Sequence, residues 1–286
     1  MSDSIHTQRG RQNSSITRVR PILGQLLRSV ESGRDRLRKL LELTLENTSC
    51  VEHLIADPGA IVTDCRRKRS YNDRVLGTIE LEGAFEWKVP PPGAFLRYLI
   101  ENSGELQKVW VKKREDDMGE ETRQLRRQLI EEQDIRTSQR ALLELDAVGA
   151  QGSERKWWAF EGFTEVDCLI ETEKLVLFIE GKRNESLSCA TDWFPLRNQL
   201  ARNLECARQY AAPMGKEFAV LLMTEAGIGD ATEQSLERIQ QGFPHLDKGE
   251  RGELCRHFLG EVHWQSLREP WGLTDDHFPD SIEEVR

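Results

Sequence analysis

Five consecutive apolar residues, Leu175-Val176-Leu177-Phe178-Ile179, run directly into Glu180-Gly181-Lys182. A run of that length, preceded by the polar turn Glu171-Thr172-Glu173-Lys174, predicts a buried strand. Such a strand does not end in a carboxylate and an ammonium unless they have partners or a task, because unpaired buried charge is costly. A second strand, expected over 163–170, carries Glu165-Val166-Asp167 and forms a hairpin with the first. Strand side chains alternate faces, so Glu165 and Asp167 share one, as do Phe178, Glu180 and Lys182. With a loop of two residues (172–173) or four (171–174), Asp167 opposes Phe178 and Glu165 opposes Glu180. Asp167 and Glu180 are then diagonal neighbours on one face, about 7–8 Å apart. An odd loop would send them to opposite faces.

The rest of the chain reads as alternating elements. Pro21 opens an apolar-periodic segment (Ile22, Leu23, Leu26, Leu27, Val30), and Leu37, Leu40, Leu41 and Leu45 repeat at helical spacing. Residues 76–88, with Phe85 and Trp87, alternate weakly as a strand or hairpin would, Pro90-Pro91-Pro92 is a stiff break, and Ala94–Asn102 reads as helix. The charge-dense stretch 112–136 suits a solvated helix or linker. Thr137 or Ser138 then caps a helix to about Ala147, closed by Gly149. Strands follow near 157–161, 163–170 and 174–181. After them come a helix from about Asp192 to Ala211, a strand at Glu217–Thr224, a helix at Thr232–Gly242 and a short strand around Val262–Gln265. This divides the chain into a disordered tail (1–15), a mainly helical region (16–118) and an α/β domain (119–286).

An acid on one strand followed by acid-x-lysine at the end of the next is the arrangement of a metal-dependent phosphodiesterase. On these residues, and on the order helix, three strands, helix, strand, the stretch 137–225 resembles the PD-(D/E)xK nuclease superfamily. Val166 stands where that family usually has proline. The resemblance implies an α/β (α+β) fold of restriction-endonuclease type: an αβββαβ core with a mixed central sheet flanked by helices. It implies Mg²⁺ or Mn²⁺ held by Asp167 and Glu180, with the Gly181 carbonyl and Glu144 of the preceding helix as further ligands. Lys182 becomes the catalytic lysine and Gln199 a helix residue reaching the site, while Glu165 is a spare acid on the same strand face. In the RecB-like branch, tyrosine follows that glutamine by four residues; here Asn203 does. Arg183, Arg197 and Arg202 are candidate phosphate contacts.

The chemistry suits these residue types. Mg²⁺ takes oxygen ligands, a bound metal polarises phosphate and acidifies its water, and a lysine beside it stabilises developing negative charge. Glycine at 181 allows close approach to the backbone. The expected activity is hydrolysis of phosphodiester bonds in nucleic acid, DNA favoured over RNA, with a homodimer or partner protein as company. The alternative is a catalytically silent subunit that keeps the fold as a binding or scaffold element.

Net charge is −9, which argues against whole-surface binding to nucleic acid, but it divides as +5 over residues 1–75 and −14 over the remainder. Arg66-Arg67-Lys68-Arg69 is the densest basic cluster, a solvated loop by default and a phosphate patch in the sharper reading. Trp157 and Trp158 read as core rather than base-stacking residues. The six cysteines show no paired metal spacing and are expected as reduced thiols. No apolar stretch reaches the roughly 18–20 residues of a membrane span. Met1–Ser15 lacks a leader-like apolar core, so a cytoplasmic protein is expected.

Overall fold

The structure, a computed structural model, describes residues 14–27, 30–44, 52–55, 57–59, 61, 85–106, 119–183, 187, 194–225, 231–281 and 284. The tail up to residue 13, Arg66–Arg69, residues 76–84 and 112–118, and Asp192-Trp193 lie outside these.

Strands β1 (Phe85–Val89), β2 (Thr164–Glu171), β3 (Leu175–Gly181), β4 (Glu217–Thr224) and β5 (Phe258–His263) form one mixed sheet in chain order. β1, β2 and β3 pair antiparallel, and β3, β4 and β5 pair parallel. Parallel neighbours need crossovers. The helix Gln199–Ala211 joins β3 to β4, and Ala231–Gln241 and Lys248–Cys255 join β4 to β5. In chain order the longer helices are α1 (Val30–Glu42), α2 (Gly93–Glu101), α3 (Glu120–Ile130), α4 (Ile135–Val148), α5 (Gln199–Ala211), α6 (Ala231–Gln241) and α7 (Lys248–Cys255). The fold is α+β.

β3 and β4 are apolar throughout their middles because both faces are covered. On one face Cys168, Ile170, Leu177, Ile179, Leu221 and Met223 meet Val19, Ile22 and Leu23 of an N-terminal helical segment (Ser15–Leu23), together with α1, Trp264 and Trp271. On the other face Val176, Phe178, Val220 and Leu222 meet Leu200, Leu204 and Ala207 of α5 and Ile239 of α6. A third apolar cluster joins Phe95, Leu99, Leu129, Ala141 and Leu145 of α2–α4 to Trp157, Trp158 and Phe160.

That third cluster corrects the strand expected at 157–161. These residues form turns, and their large side chains are apolar because they plug the gap beside α2–α4. Buried Arg126 donates to the Trp157 carbonyl at 2.6 Å, occupying a backbone group that a ladder would have used. The remaining antiparallel strand comes instead from Phe85–Val89, with Trp87 opposite Val166. Three strands therefore do not follow α4 in succession. The sheet draws strands from both sides of the division expected at 118/119, β1 before it and β2 after it. α4 starts earlier than expected: Asp134 caps it by accepting from the Thr137 N–H at 2.8 Å. Gly149 closes it at φ 65°, a backbone conformation that favours glycine.

No described helix is long and apolar enough to cross a membrane. Cys168, Cys206 and Cys255 are buried free thiols. Burial pushes Cys206 up to about 12 and Cys255 up to about 11.

Candidate active site

The hairpin places the two acids in register. Thr172 N–H bonds the Leu175 carbonyl at 2.7 Å, and the Thr172 hydroxyl accepts from the N–H groups of Lys174 and Leu175, so the loop is the two residues Glu173-Lys174. Cys168 then opposes Ile179. Continued by one residue, this register sets Asp167 directly opposite Glu180. The even loop keeps both acids on one face, as expected, but the pairing lies two residues from the expected one, so the acids are direct rather than diagonal neighbours. The Asp167 carboxylate also accepts the Gly181 N–H at 2.8 Å.

Glu180 is fully buried beneath α5. Lys182 Nζ lies 2.7 Å from its Oε1, which also accepts from Gln199 Nε2 at 2.6 Å, and its Oε2 accepts from Asn203 Nδ2 at 3.1 Å. A carboxylate offers about four acceptor positions. Three are filled by these donors, and the Asp167 carboxyl shares a side-chain hydrogen bond with the same carboxylate. Gln199 and Asn203 stand one helical turn apart, so both amides reach the same carboxylate. Asn198 caps α5 by accepting from the Ala201 N–H at 2.8 Å, which fixes where that turn begins.

Asp167 carries the cost of this crowding. Burial first, then the charge of Glu180, push its carboxyl up to about 8, only partly offset by the Gly181 N–H and Lys182. A second buried polar atom, Asn203 Oδ1, has no hydrogen-bond partner. Two acids, one lysine and an orphaned amide oxygen thus make a mostly enclosed, oxygen-lined place in which Asp167 keeps a proton that a cation would replace. That donor set fits Mg²⁺ or Mn²⁺, both of which prefer oxygen. Among the described residues no group of three or more His, Cys, Asp or Glu side chains could hold a metal ion.

Gly181 serves a different purpose from the one its position suggested. A Cβ there would stand 2.4 Å from Val19 Cγ2 and 3.0 Å from Trp264 Cζ2, so glycine is required by packing on the opposite face. Its carbonyl points to the same side of the strand as its N–H, and so borders Asp167. Trp264 Nε1 donates to the Lys182 carbonyl at 3.0 Å and steadies the strand end from behind.

Several expected site residues are placed elsewhere. The Glu144 carboxylate accepts from the indoles of Trp157 (3.0 Å) and Trp158 (2.9 Å) and from Arg140 (2.8 Å), so it serves the third cluster and shares no partner with the acid pair. Arg197 is fully buried: it bonds both oxygens of Glu161, a Glu205 oxygen and the Gly242 carbonyl, over the Phe95 ring. Burial pulls its guanidinium down, but the Glu161 and Glu205 charges outweigh that and hold it above its ordinary value. No surface remains on which Arg197 meets a phosphate; it braces the entry to α5 instead. Arg183 is also buried and turns to Asp280, its carboxylate at 3.0 Å and its carbonyl at 2.9 Å. Arg202 is partly exposed and donates to the Gly162 and Phe163 carbonyls. Glu165 is exposed, opposite Lys88 of β1.

Asn203 is the site residue that sequence reasoning undervalued. Its place off the apolar stripe of α5, four residues after Gln199, was the available signal. Comparison with protein-family models, with curated proteins and with solved structures gave no match to this chain.

Proposed function

We propose that the protein is a metal-dependent nuclease that hydrolyses phosphodiester bonds, DNA favoured, at Asp167, Glu180 and Lys182. The observation that carries this reading is the opposed pair Asp167–Glu180, with Lys182 on the same carboxylate and an Asp167 carboxyl that this crowding holds protonated until a cation replaces the proton. When bound, Mg²⁺ or Mn²⁺ supplies charge neutralisation on the phosphate and an acidified water. Asp167 and Glu180 would hold the metal in place of the proton they share, with the Asn203 amide oxygen and the Gly181 carbonyl as neighbouring oxygens. Gln199 and Asn203 fix the Glu180 carboxylate in one orientation. Lys182, largely buried yet at the end of its strand, donates to developing negative charge on the phosphate.

A second reading, a nuclease-like fold that binds without cutting, draws on the same geometry. Glu180 already receives three protein donors, as a purely structural buried acid would. The two readings separate in one assay: supercoiled plasmid, single-stranded DNA and RNA incubated with Mg²⁺ or Mn²⁺, with and without chelator, beside Asp167→Ala and Lys182→Ala. The nuclease reading expects chelator-sensitive cutting that both substitutions reduce at least about a thousand-fold. No cutting by the wild type, or equal cutting by the variants, would overturn it in favour of the binding reading.

A further inference from the structure

Two strands away from the acid pair, the same face of the sheet carries a second group of polar side chains. β3 aligns Glu180 with Leu222 and Gly181 with Met223; β4 aligns Leu222 with Glu261 and Thr224 with His263. The row of Glu180 thus continues to Glu261, and the row of Lys182 continues through Thr224 to His263. Strand spacing puts each end of a row about 10 Å from the other. Both rows lie at the carboxyl ends of three parallel strands, the edge where open α/β sheets bind ligands.

A bulge brings the second group to this face. Val220 pairs with Phe258, but Leu222 pairs with Glu261, so β5 holds one extra residue between them. Gly260 has φ 86°, a conformation that favours glycine. Without the extra residue Glu261 would align with Met223, on the face packed by Val19 and Trp264. With it, Leu259 and Val262 enter that apolar core while Glu261 and His263 turn toward the acid pair's face. Re-aiming side chains beside a site is a recurrent use of bulges.

The group is also ordered internally. The buried Thr224 hydroxyl donates to Glu261 Oε1, and its oxygen lies 3.1 Å from His263 Nδ1. Thr224 has one proton, and the carboxylate takes it, so His263 Nδ1 must be the donor to Thr224. The tautomer is therefore set, and Nε2 has no partner among the described residues, on a side chain 42% exposed. Glu261 and Thr224 satisfy each other without His263, whose burial adds little.

We infer that His263, oriented by Thr224 and Glu261, binds a backbone phosphate adjoining the one cut at Asp167, Glu180 and Lys182. This rests on the nuclease reading. The phosphate pairs with the cationic form of the ring, in which Nδ1–H stays on Thr224 and Nε2–H donates to the phosphate, with Glu261 3.9 Å from Nδ1.

The test uses the full chain and a short fluorescein-labelled DNA, single-stranded and duplex, or the same RNA if RNA is what the wild type cuts. Cleavage is followed in Mg²⁺, and binding by anisotropy in chelator across a salt series. His263→Ala and Thr224→Val should each raise KM about ten-fold with kcat within about two-fold. For His263→Ala the salt dependence of binding should flatten by about one phosphate contact. Thr224→Ser, which keeps the hydroxyl, should behave as wild type. Unchanged KM and salt slope in His263→Ala, with the wild type cutting and Asp167→Asn inactive, would overturn the phosphate contact alone. A fall in kcat with unchanged KM would overturn it equally. A wild type that neither binds nor cuts would overturn the nuclease reading and this inference together.

Discussion

Asp167 is where stability and the proposed chemistry conflict. Its carboxyl sits at about 8 in the folded chain, against an ordinary 3.8, chiefly through burial and then through Glu180. The folded state therefore keeps a proton that the unfolded chain releases. Below the unfolded value the acid adds no penalty. As pH rises toward and through the folded value, stability is lost, because the unfolded state binds fewer protons. Asp167→Asn is near-isosteric: its amide oxygen can still accept the Gly181 N–H and its NH₂ can donate to Glu180. In chelator this variant should exceed wild type by on the order of a few kcal/mol at pH 9 and match it near pH 4, read by urea denaturation. Mg²⁺ should raise wild-type stability at pH 9 and leave Asp167→Asn unmoved. A variant no more stable than wild type at pH 9 would mean that the acid pair is not under electrostatic load. The parity of Asp167 and Glu180 was legible in the sequence, since an even loop was all it required. The exact register was not, because it depends on the Thr172 hydroxyl holding two N–H groups of a tighter turn.

At the level of elements, legibility followed burial pattern. β3 and β4 carry unbroken apolar runs and were found within a residue or so, as was the end of α5, whose start lies seven residues later than expected because Asn198 caps it. Residues 157–161 carry a similar run but serve a cluster of turns, and a short apolar stretch does not by itself distinguish the two. β1 was ambiguous because its partner lies far along the chain at β2, and β5 because a glycine bulge breaks its alternation. Arg197 shows the same limit for charge: its place at the mouth of α5 suited a phosphate contact equally well, and only the fold brings Glu161 and Glu205 around it. Its worth is as a brace. Arg197→Ala removes the cation that bridges two buried carboxylates, leaving Glu161 to Arg202 and Glu205 to His245 and Arg208 at their edges, and should cost about 3–5 kcal/mol in chemical denaturation. Arg197→Lys should recover little of this, because an ammonium cannot fork to Glu161 while bonding Glu205 and the Gly242 carbonyl. A full recovery by lysine would show that charge alone, and not the bidentate geometry, holds the start of α5.

At the scale of the whole molecule, the candidate site is backed by both ends of the chain. Val19 and Trp264 pack directly behind Gly181, between Glu180 and Lys182. Arg18 bonds Glu225, just past β4, and the Pro279 carbonyl at 2.7 Å, while Arg183 reaches Asp280. The N-terminal region, which the sequence presented as a helical appendage with a positive balance, is thus half of the sheet's packing. That was hidden because helical periodicity tells which face is apolar but not which sheet covers it. A fragment of residues 119–286 tests the point. It keeps β2–β5 and the face under α5, but it lacks β1 and exposes Cys168, Ile170, Leu177, Ile179, Leu221 and Met223 where Val19, Ile22, Leu23 and α1 had covered them. Each such side chain loses roughly 1.5–3 kcal/mol of burial, and several together exceed the roughly 5–15 kcal/mol net stability of a domain. The fragment should therefore lack a cooperative thermal transition, bind a hydrophobic dye and lose any activity the full chain has. A fragment that melts cooperatively near the full chain's midpoint would show instead that β2–β5 with α5–α7 is a self-sufficient unit and that the N-terminal region is an attachment to it.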